Sequence, residues 1–238
     1  MANLDKKIIL VAGGTGNVGE GITAHYLKEG ATVVVPSRKQ ESLDNLSNYL
    51  GDLAKTNFVP IIGNISTAEG VNKVRDDVLK TCGRLDGVLA SIGGWWTGNK
   101  PLTEVSMEVW QQYIDSNLTS HFLLAKTFLP VLAKEKTSSY ILLGGTAAEV
   151  PLKNLSPVGI PAAAQLMLAR IIIEENKGNG IRINEVIVQG MVKTRAMEAH
   201  SSPEWITPEE IAQFTAWLSS DEGYMVSGSI LNLNQRPR

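Results

Sequence analysis

The sequence predicts a single α/β domain, a mostly parallel seven-stranded sheet doubly wound between helices. Short, continuously apolar runs rich in β-branched residues alternate with longer stretches of helical periodicity, the pattern of strands buried on both faces. No linker, repeat or shift in composition interrupts the 238 residues, so one core is expected across 1–238. Right-handed crossovers between successive parallel strands then place helices on both faces of the sheet.

Ile8–Ala12 reads as the first strand and Val18–Glu29 as a helix closed by Gly30. Thr32–Val35 is a second strand, followed by a polar helix to about Leu50. Phe58–Ile62 is a third strand, and the recurrence of Val71, Val74, Val78 and Cys82 marks the helix after it. Gly87–Ser91 is the fourth strand, Glu104–Lys134 a long helix, and Tyr140–Leu143 the fifth strand. Because proline suits a first turn better than a helix interior, the next helix is expected to begin at Pro161 and to run to Glu175. Ile181–Val188, the helix Pro208–Ser219 and the short strand Ser229–Leu233 complete the chain.

Composition narrows the partners. With 43% apolar residues, 19% charged residues and a net charge of −2, the chain has no basic face for nucleic acid or anionic membrane. No apolar run is expected to reach the roughly 18 residues that cross a bilayer. Met1 to Lys7 lacks the apolar centre of a signal peptide, so the cytoplasm is the expected location. The single Cys82 forms no internal disulfide and, on the apolar side of its helix, reads as a buried thiol.

The first strand runs into Gly13-Gly14-Thr15-Gly16-Asn17-Val18-Gly19, which satisfies both G-x-G-x-x-G and G-x-x-G-x-x-G. Between a strand and a helix, such glycines let the backbone turn sharply and approach a pyrophosphate, whose charge meets the helix N-terminal amides. The architecture is therefore Rossmann-like, and a nicotinamide dinucleotide is the expected ligand. At the end of the second strand, where a carboxylate would take the ribose hydroxyls of NAD, the chain has Ser37, Arg38 and Lys39. A guanidinium can bind a 2′-phosphate in a bidentate way, which favours NADP over NAD. The plainer alternative is that Arg38 and Lys39 only open a solvated helix.

With these residues in view, essentially the whole chain resembles the short-chain dehydrogenase/reductase family. Gly13 through Gly19 is similar to its glycine segment, with Asn17 where glycine is commoner, and Thr15 falls where a hydroxyl often contacts the adenosine ribose. Asn64 matches the polar residue that reads adenine, and Ala90-Ser91-Ile92-Gly93 takes the place of an Asn-Asn-Ala-Gly stretch. Asn117, in Asp115-Ser116-Asn117-Leu118, matches the active-site asparagine. Gln189 through Thr194 resembles the turn that meets the nicotinamide amide. The resemblance implies cofactor contacts from Ser37, Arg38, Asn64, Ser91, Gly93 and Thr194 in addition to the glycine segment, activity on a carbonyl or alcohol, and a homodimer or homotetramer.

The catalytic stretch departs from the family pattern. Aligning Leu168-Ala169-Arg170 with the end of the family's helix puts Val158 at its tyrosine, Ala162 at its lysine and Gly145 at its serine; a one-residue slip gives Thr146 for the serine. A positioned general acid contributes roughly 10²–10⁴ in rate. Asn117 and Thr146 remain as candidate catalytic groups, and Ser156, Lys153 and His121 are the other polar side chains with a chance of facing the nicotinamide. Each also has a plain structural reading. Thr146 suits a local backbone bond, Asn117 a helix-bulge bond, His121 a packed or solvent-facing place, and Lys153 solvent. Trp95 and Trp96 follow the fourth strand, where they could stack on a planar substrate, plug a pocket or meet another subunit. Met197–Trp205 falls at the family's substrate lid. The alternatives to an oxidoreductase are a non-catalytic NADP(H)-binding sensor or partner subunit, or a homologue whose cofactor loop is vestigial. No metal site is expected.

Overall fold

The structure, a computed structural model, describes residues 3–132 and 138–235. Seven strands form one sheet in the order β3-β2-β1-β4-β5-β6-β7. Each neighbouring pair runs parallel, so the sheet is wholly rather than mostly parallel. The strands are β1 (Ile8–Ala12), β2 (Thr32–Ser37), β3 (Phe58–Ile62), β4 (Gly87–Ala90), β5 (Ser139–Gly145), β6 (Arg182–Gln189) and β7 (Ser229–Asn234). Side chains alternate between two apolar layers, as a strand buried on both faces requires. Ile9 and Val11 join Ile22, Leu43 and Ile211 from α1 (Gly19–Lys28), α2 (Gln40–Leu50) and α7 (Pro208–Ser219). Leu10 and Ala12 face the other way, toward Val74 of α3 (Ala68–Cys82) and Phe128 of α5 (Ser120–Phe128). Cys82, half-buried, packs against this second layer, and burial pushes its thiol pKa up.

Helix ends follow local chemistry. The Thr67 side chain accepts from the Gly70 amide at the start of α3, and Gly83, at φ 76°, closes it. Thr207 and Glu210 form a reciprocal capping box on α7.

Two helix expectations need correction. The helix expected over Glu104–Lys134 starts only at α4 (Met107–Ile114), because the Ser106 side chain caps it by accepting from the Val109 amide. It passes through a π-helical turn, Asp115–Thr119, into α5, and tightens into a 3-10 turn at Leu129–Val131, which contains Pro130. Its expected end at Lys134 lies outside the described residues. The helix α6 (Ser156–Glu175) begins five residues before Pro161, which sits inside it. Pro161 gives up the bond to the Pro157 carbonyl, and Leu155 holds the turn by accepting from the Val158 and Gly159 amides.

At 20 residues, α6 is also long and apolar enough to span a membrane by length and composition, against the expectation. Its place in the fold gives a different reason for that composition. Leu166, Ala169 and Ile172 are buried in the domain, whereas Met167 and Ile171 are exposed.

Candidate cofactor and active site

The strand order reverses at β1, so the C-terminal ends of β1 and β4 open a crevice at the switch point, where ligands bind in such sheets. The Ser91 amide donates to the Ala12 carbonyl (2.9 Å), continuing the pairing just past both strands. Gly13, at φ 83°, lies so close that a Cβ would stand 2.0 Å from the Ser91 carbonyl oxygen. A Cβ on Gly19 would stand 2.0 Å from the Gly13 carbonyl oxygen. Both positions admit only glycine, and the cradle is bare backbone. Gly16 and Asn17 are exposed at its lip, while Thr15 and Val18 are half-buried. Helix α1 has Val18 at its N-cap with no side-chain capping bond; the Glu20 amide donates to the Gly16 carbonyl (2.9 Å), and no capping side chain competes with an anion for the rest of the first turn.

Beyond the C-terminal end of β6, Thr194 is buried and its hydroxyl has no partner among the described residues. A buried hydroxyl without a partner is a polar group left for a ligand, and with a bare glycine cradle in the same fold it fits a dinucleotide with a polar amide at one end. At the other end, Ser37 is the last residue of β2 and accepts the Lys39 amide through its hydroxyl (3.4 Å). Arg38 is exposed and makes no ion pair among the described residues. Asn64 follows β3, and its side-chain Oδ1 accepts the Ser66 amide (3.0 Å).

The π-turn brings Asn117 under the loop that follows β4. Its Nδ2 donates to the Gly94 carbonyl (3.0 Å), and its Oδ1 accepts from the Gly94 amide (2.8 Å) and the Ser116 hydroxyl (2.8 Å). Gly93, at φ 130°, is pressed against the same side chain. Asn117 thus fixes the loop that carries the indoles. Trp96 is 8% exposed and lies against Gly98, whereas Trp95 is 59% exposed. The paired indoles therefore divide, one filling the fold and the other facing solvent. Tyr113 donates its hydroxyl to the Trp95 carbonyl (3.1 Å).

Thr146 follows β5. Its hydroxyl donates to the Val188 carbonyl (3.2 Å) and accepts the Gly190 amide (2.8 Å). Its only proton is committed to backbone, so in this arrangement it does not donate to a substrate oxygen. Gly145, one residue earlier, faces open space: a Cβ there meets nothing within 4 Å. Val158 is buried in the first turn of α6, and Ala162 packs on Ala148, Leu166 and Ile187. Ser156 has a buried hydroxyl without a partner among the described residues, and Lys153 is exposed.

His121 is fully buried, with Nε2 donating to the Ile92 carbonyl (3.2 Å). Burial pushes its pKa down to about 4, so it packs as a neutral ring.

Sequence reading passed over two groups beside this site. Glu185 is fully buried in β6, and desolvation pushes its pKa up to about 7, with Arg170 opposing and Glu149 adding to the shift. Its Oε1 accepts from Gln165 (3.3 Å), while Oε2 has no partner among the described residues. A carboxylate in the middle of a strand expected from sequence was the available signal. The second group is the ion pair between Arg195 and Glu20, separated by 175 positions, for which the sequence carries no local signal.

Comparison with known proteins agrees with this geometry. A family model described as enoyl-(acyl carrier protein) reductase matches residues 13–235. The bovine dehydrogenase/reductase SDR family member 4 is 28% identical over 241 residues, covering 94% of this chain and 85% of that protein. An uncharacterized oxidoreductase of Bacillus subtilis, YvrD, is 24% identical, covering 95% and 94%. Among solved structures, a short-chain type dehydrogenase/reductase from Mycobacterium ulcerans superposes with a TM-score of 0.89 at 21% identity, covering 98% of this chain and 90% of that one. The L-sorbose reductase of Gluconobacter frateurii, solved with NADPH and L-sorbose, gives 0.86 at 20% identity, covering 98% and 97%. The glycine cradle, the switch-point crevice and the match across nearly the whole length lead to one conclusion: the chain belongs to the short-chain dehydrogenase/reductase family of nicotinamide-dinucleotide oxidoreductases.

Proposed function

We propose that the protein is an NADP(H)-dependent oxidoreductase acting on a carbonyl or alcohol group, with an active site that lacks the family's tyrosine and lysine. The observation that carries the cofactor choice is Arg38, exposed just beyond β2 with no acidic partner among the described residues. Ser37 stands where a carboxylate would repel a 2′-phosphate. The sorbose reductase complex with NADPH lends support from a protein of the same fold. The cofactor supplies or accepts a hydride when bound. Gly13, Thr15, Gly16, Asn17, Val18 and Gly19 would cradle its pyrophosphate side, Asn64, Ser91 and Gly93 would line its path, and Thr194 would hold the amide end.

Val158 and Ala162 offer no proton, and the Thr146 proton is engaged with Val188. A Cβ at Gly145 would meet nothing within 4 Å, which leaves room for a water at the strand end, and on this reading water supplies the proton. Slow turnover is the consequence, since a positioned acid is worth roughly 10²–10⁴ in rate. Exposed Trp95 offers an indole face for a planar or apolar substrate. The exposed apolar side chains Phe122, Met167 and Ile171 on α5 and α6 support self-association as a homodimer or homotetramer.

Fluorescence titration of the purified protein with NADPH and NADH tests the reading. NADPH is expected to bind more tightly, and Arg38→Ala to weaken NADPH about tenfold while leaving NADH nearly unchanged. Equal losses for both dinucleotides would remove the phosphate assignment. Tight binding with no turnover across a carbonyl panel would point to a sensor or partner subunit.

A further inference from the structure

Glu20 is the residue after Gly19, in the first turn of α1, and Arg195 is the residue after Thr194. The two side chains meet as a fork on a fork: Arg195 Nε lies 3.0 Å from Glu20 Oε1 and Nη2 lies 2.8 Å from Oε2. The Glu20 side chain is only 11% exposed, and the Arg195 guanidinium carbon stands 5.1 Å over the Tyr49 ring near the end of α2. One guanidinium therefore joins the glycine cradle, α2 and the segment behind Thr194, beside a cleft of about 220 Å³ that Asn17, Lys193 and Thr207 also line.

Exposed ion pairs usually contribute little, ~0–1 kcal/mol, because water competes for both partners. Here the carboxylate is mostly out of water, both its oxygens are used, and an aromatic face limits the guanidinium's freedom. The segment also needs an anchor. Its 3-10 turn, Arg195–His200, buries none of its own side chains, so packing alone does not fix it.

We infer that Arg195 and Glu20 form a clasp that holds Thr194 in register with the glycine cradle, making both residues positioning residues for cofactor binding. The inference rests on the dinucleotide reading above. Neither side chain needs to touch the cofactor. Each acts through the backbone of its neighbour, Gly19 in the cradle and Thr194 in the segment after β6.

The test uses the full-length wild type, Arg195→Ala, Glu20→Gln, Arg195→Lys and the exchanged pair Glu20→Arg/Arg195→Glu. Amide hydrogen exchange of residues 193–206 is measured without cofactor, and NADPH affinity by fluorescence. Both single removals are expected to speed exchange in this segment about tenfold and to raise the NADPH Kd about fivefold. Arg195→Lys, a point charge without a fork, should fall between wild type and Arg195→Ala. Recovery in the exchanged pair would add to the support. Unchanged exchange in both single variants overturns the clasp. Faster exchange with an unchanged Kd, in a wild type that does bind NADPH, overturns the positioning role. A wild type that binds neither NADPH nor NADH overturns the cofactor reading itself, and the exchange data then still decide whether the clasp exists.

Discussion

Gly144 and Glu185 lie diagonally across the β5–β6 pair, so close that a Cβ at position 144 would stand 2.7 Å from Glu185 Oε1. The register sets Leu142 opposite Glu185 and Gly144 opposite Ile187, and the carboxyl group occupies the space that a side chain at 144 would take. The absent side chain on β5 thus accommodates a buried acid on β6. Gly144→Ala is expected to destabilise the fold by about 1–3 kcal/mol through overpacking, read from urea denaturation.

Glu185 makes stability depend on pH in the direction opposite to a salt-bridged acid. Its folded pKa is about 7, above the ordinary value of 4.5, so the folded state retains a proton that the unfolded state has released. Its contribution is intact below about pH 4.5, falls as pH rises through the window, and reaches its full penalty above pH 7. The ceiling is on the order of 3 kcal/mol. Glu185→Gln should gain stability relative to wild type between pH 5 and pH 8, with urea midpoints as the readout. A difference that stays constant with pH would mean that the carboxyl is ionised in the fold.

His121 acts in the opposite direction. Its folded pKa of about 4 lies below the ordinary value of 6.5, so the unfolded state takes up a proton first. Stability from this group is present above pH 6.5 and is lost as pH falls toward 4. The slopes from Glu185 and His121 oppose each other in the overlap of their windows. In the Glu185→Gln background, the His121 loss should therefore appear as a steeper decline below pH 6.5 than in wild type.

Asn117 spends three hydrogen bonds on the loop after β4 and on its own helix. Asn117→Ala leaves the Gly94 amide and carbonyl without these partners and is expected to cost about 2–4 kcal/mol. The looser loop should also shift the emission of Trp95 and Trp96. A normal melting temperature with unchanged tryptophan emission would assign Asn117 a role other than holding the loop.

The proposed dependence on water for the proton predicts a gain of function. Installing Gly145→Ser, Val158→Tyr and Ala162→Lys together should raise carbonyl reduction with NADPH by roughly 10²-fold or more, provided circular dichroism shows an intact fold. The rate should then acquire a titration step that the wild type lacks. No gain in a folded triple variant would place the substrate away from these positions.

The fold was legible because its signals are local. β-branched runs at Ile8–Ala12 and Thr32–Ser37, glycines at the cradle, and Thr207 with Glu210 act within a few residues of one another. Pro161 misled the reading of α6 because helix interiors tolerate a proline once the preceding turn is secured by Leu155. The π-turn around Asn117 was only half visible. The asparagine was recognisable, but its commitment to Gly94 depends on a loop 23 positions earlier. In sequence the Thr146 hydroxyl reads as a match to the family's carbonyl-orienting serine, whereas the fold commits it to Val188 and Gly190 from β6 and its end. Groups whose roles depend on distant partners, such as Arg195 with Glu20, lie beyond any window of sequence periodicity.

The pairing of Val192 with Ile206 brings both ends of the loop over residues 193–205 to adjacent points, with the Lys193 amide bonded to the Ile206 carbonyl at 2.8 Å. Thr207 then starts α7 with its own capping box, independent of what the loop contains. A loop pinned at its base can change length at low thermodynamic cost, about 0.6 kcal/mol for each doubling. The stretch beyond His200 is therefore an exchangeable module. Insertions or deletions there would leave the sheet that folds the molecule untouched.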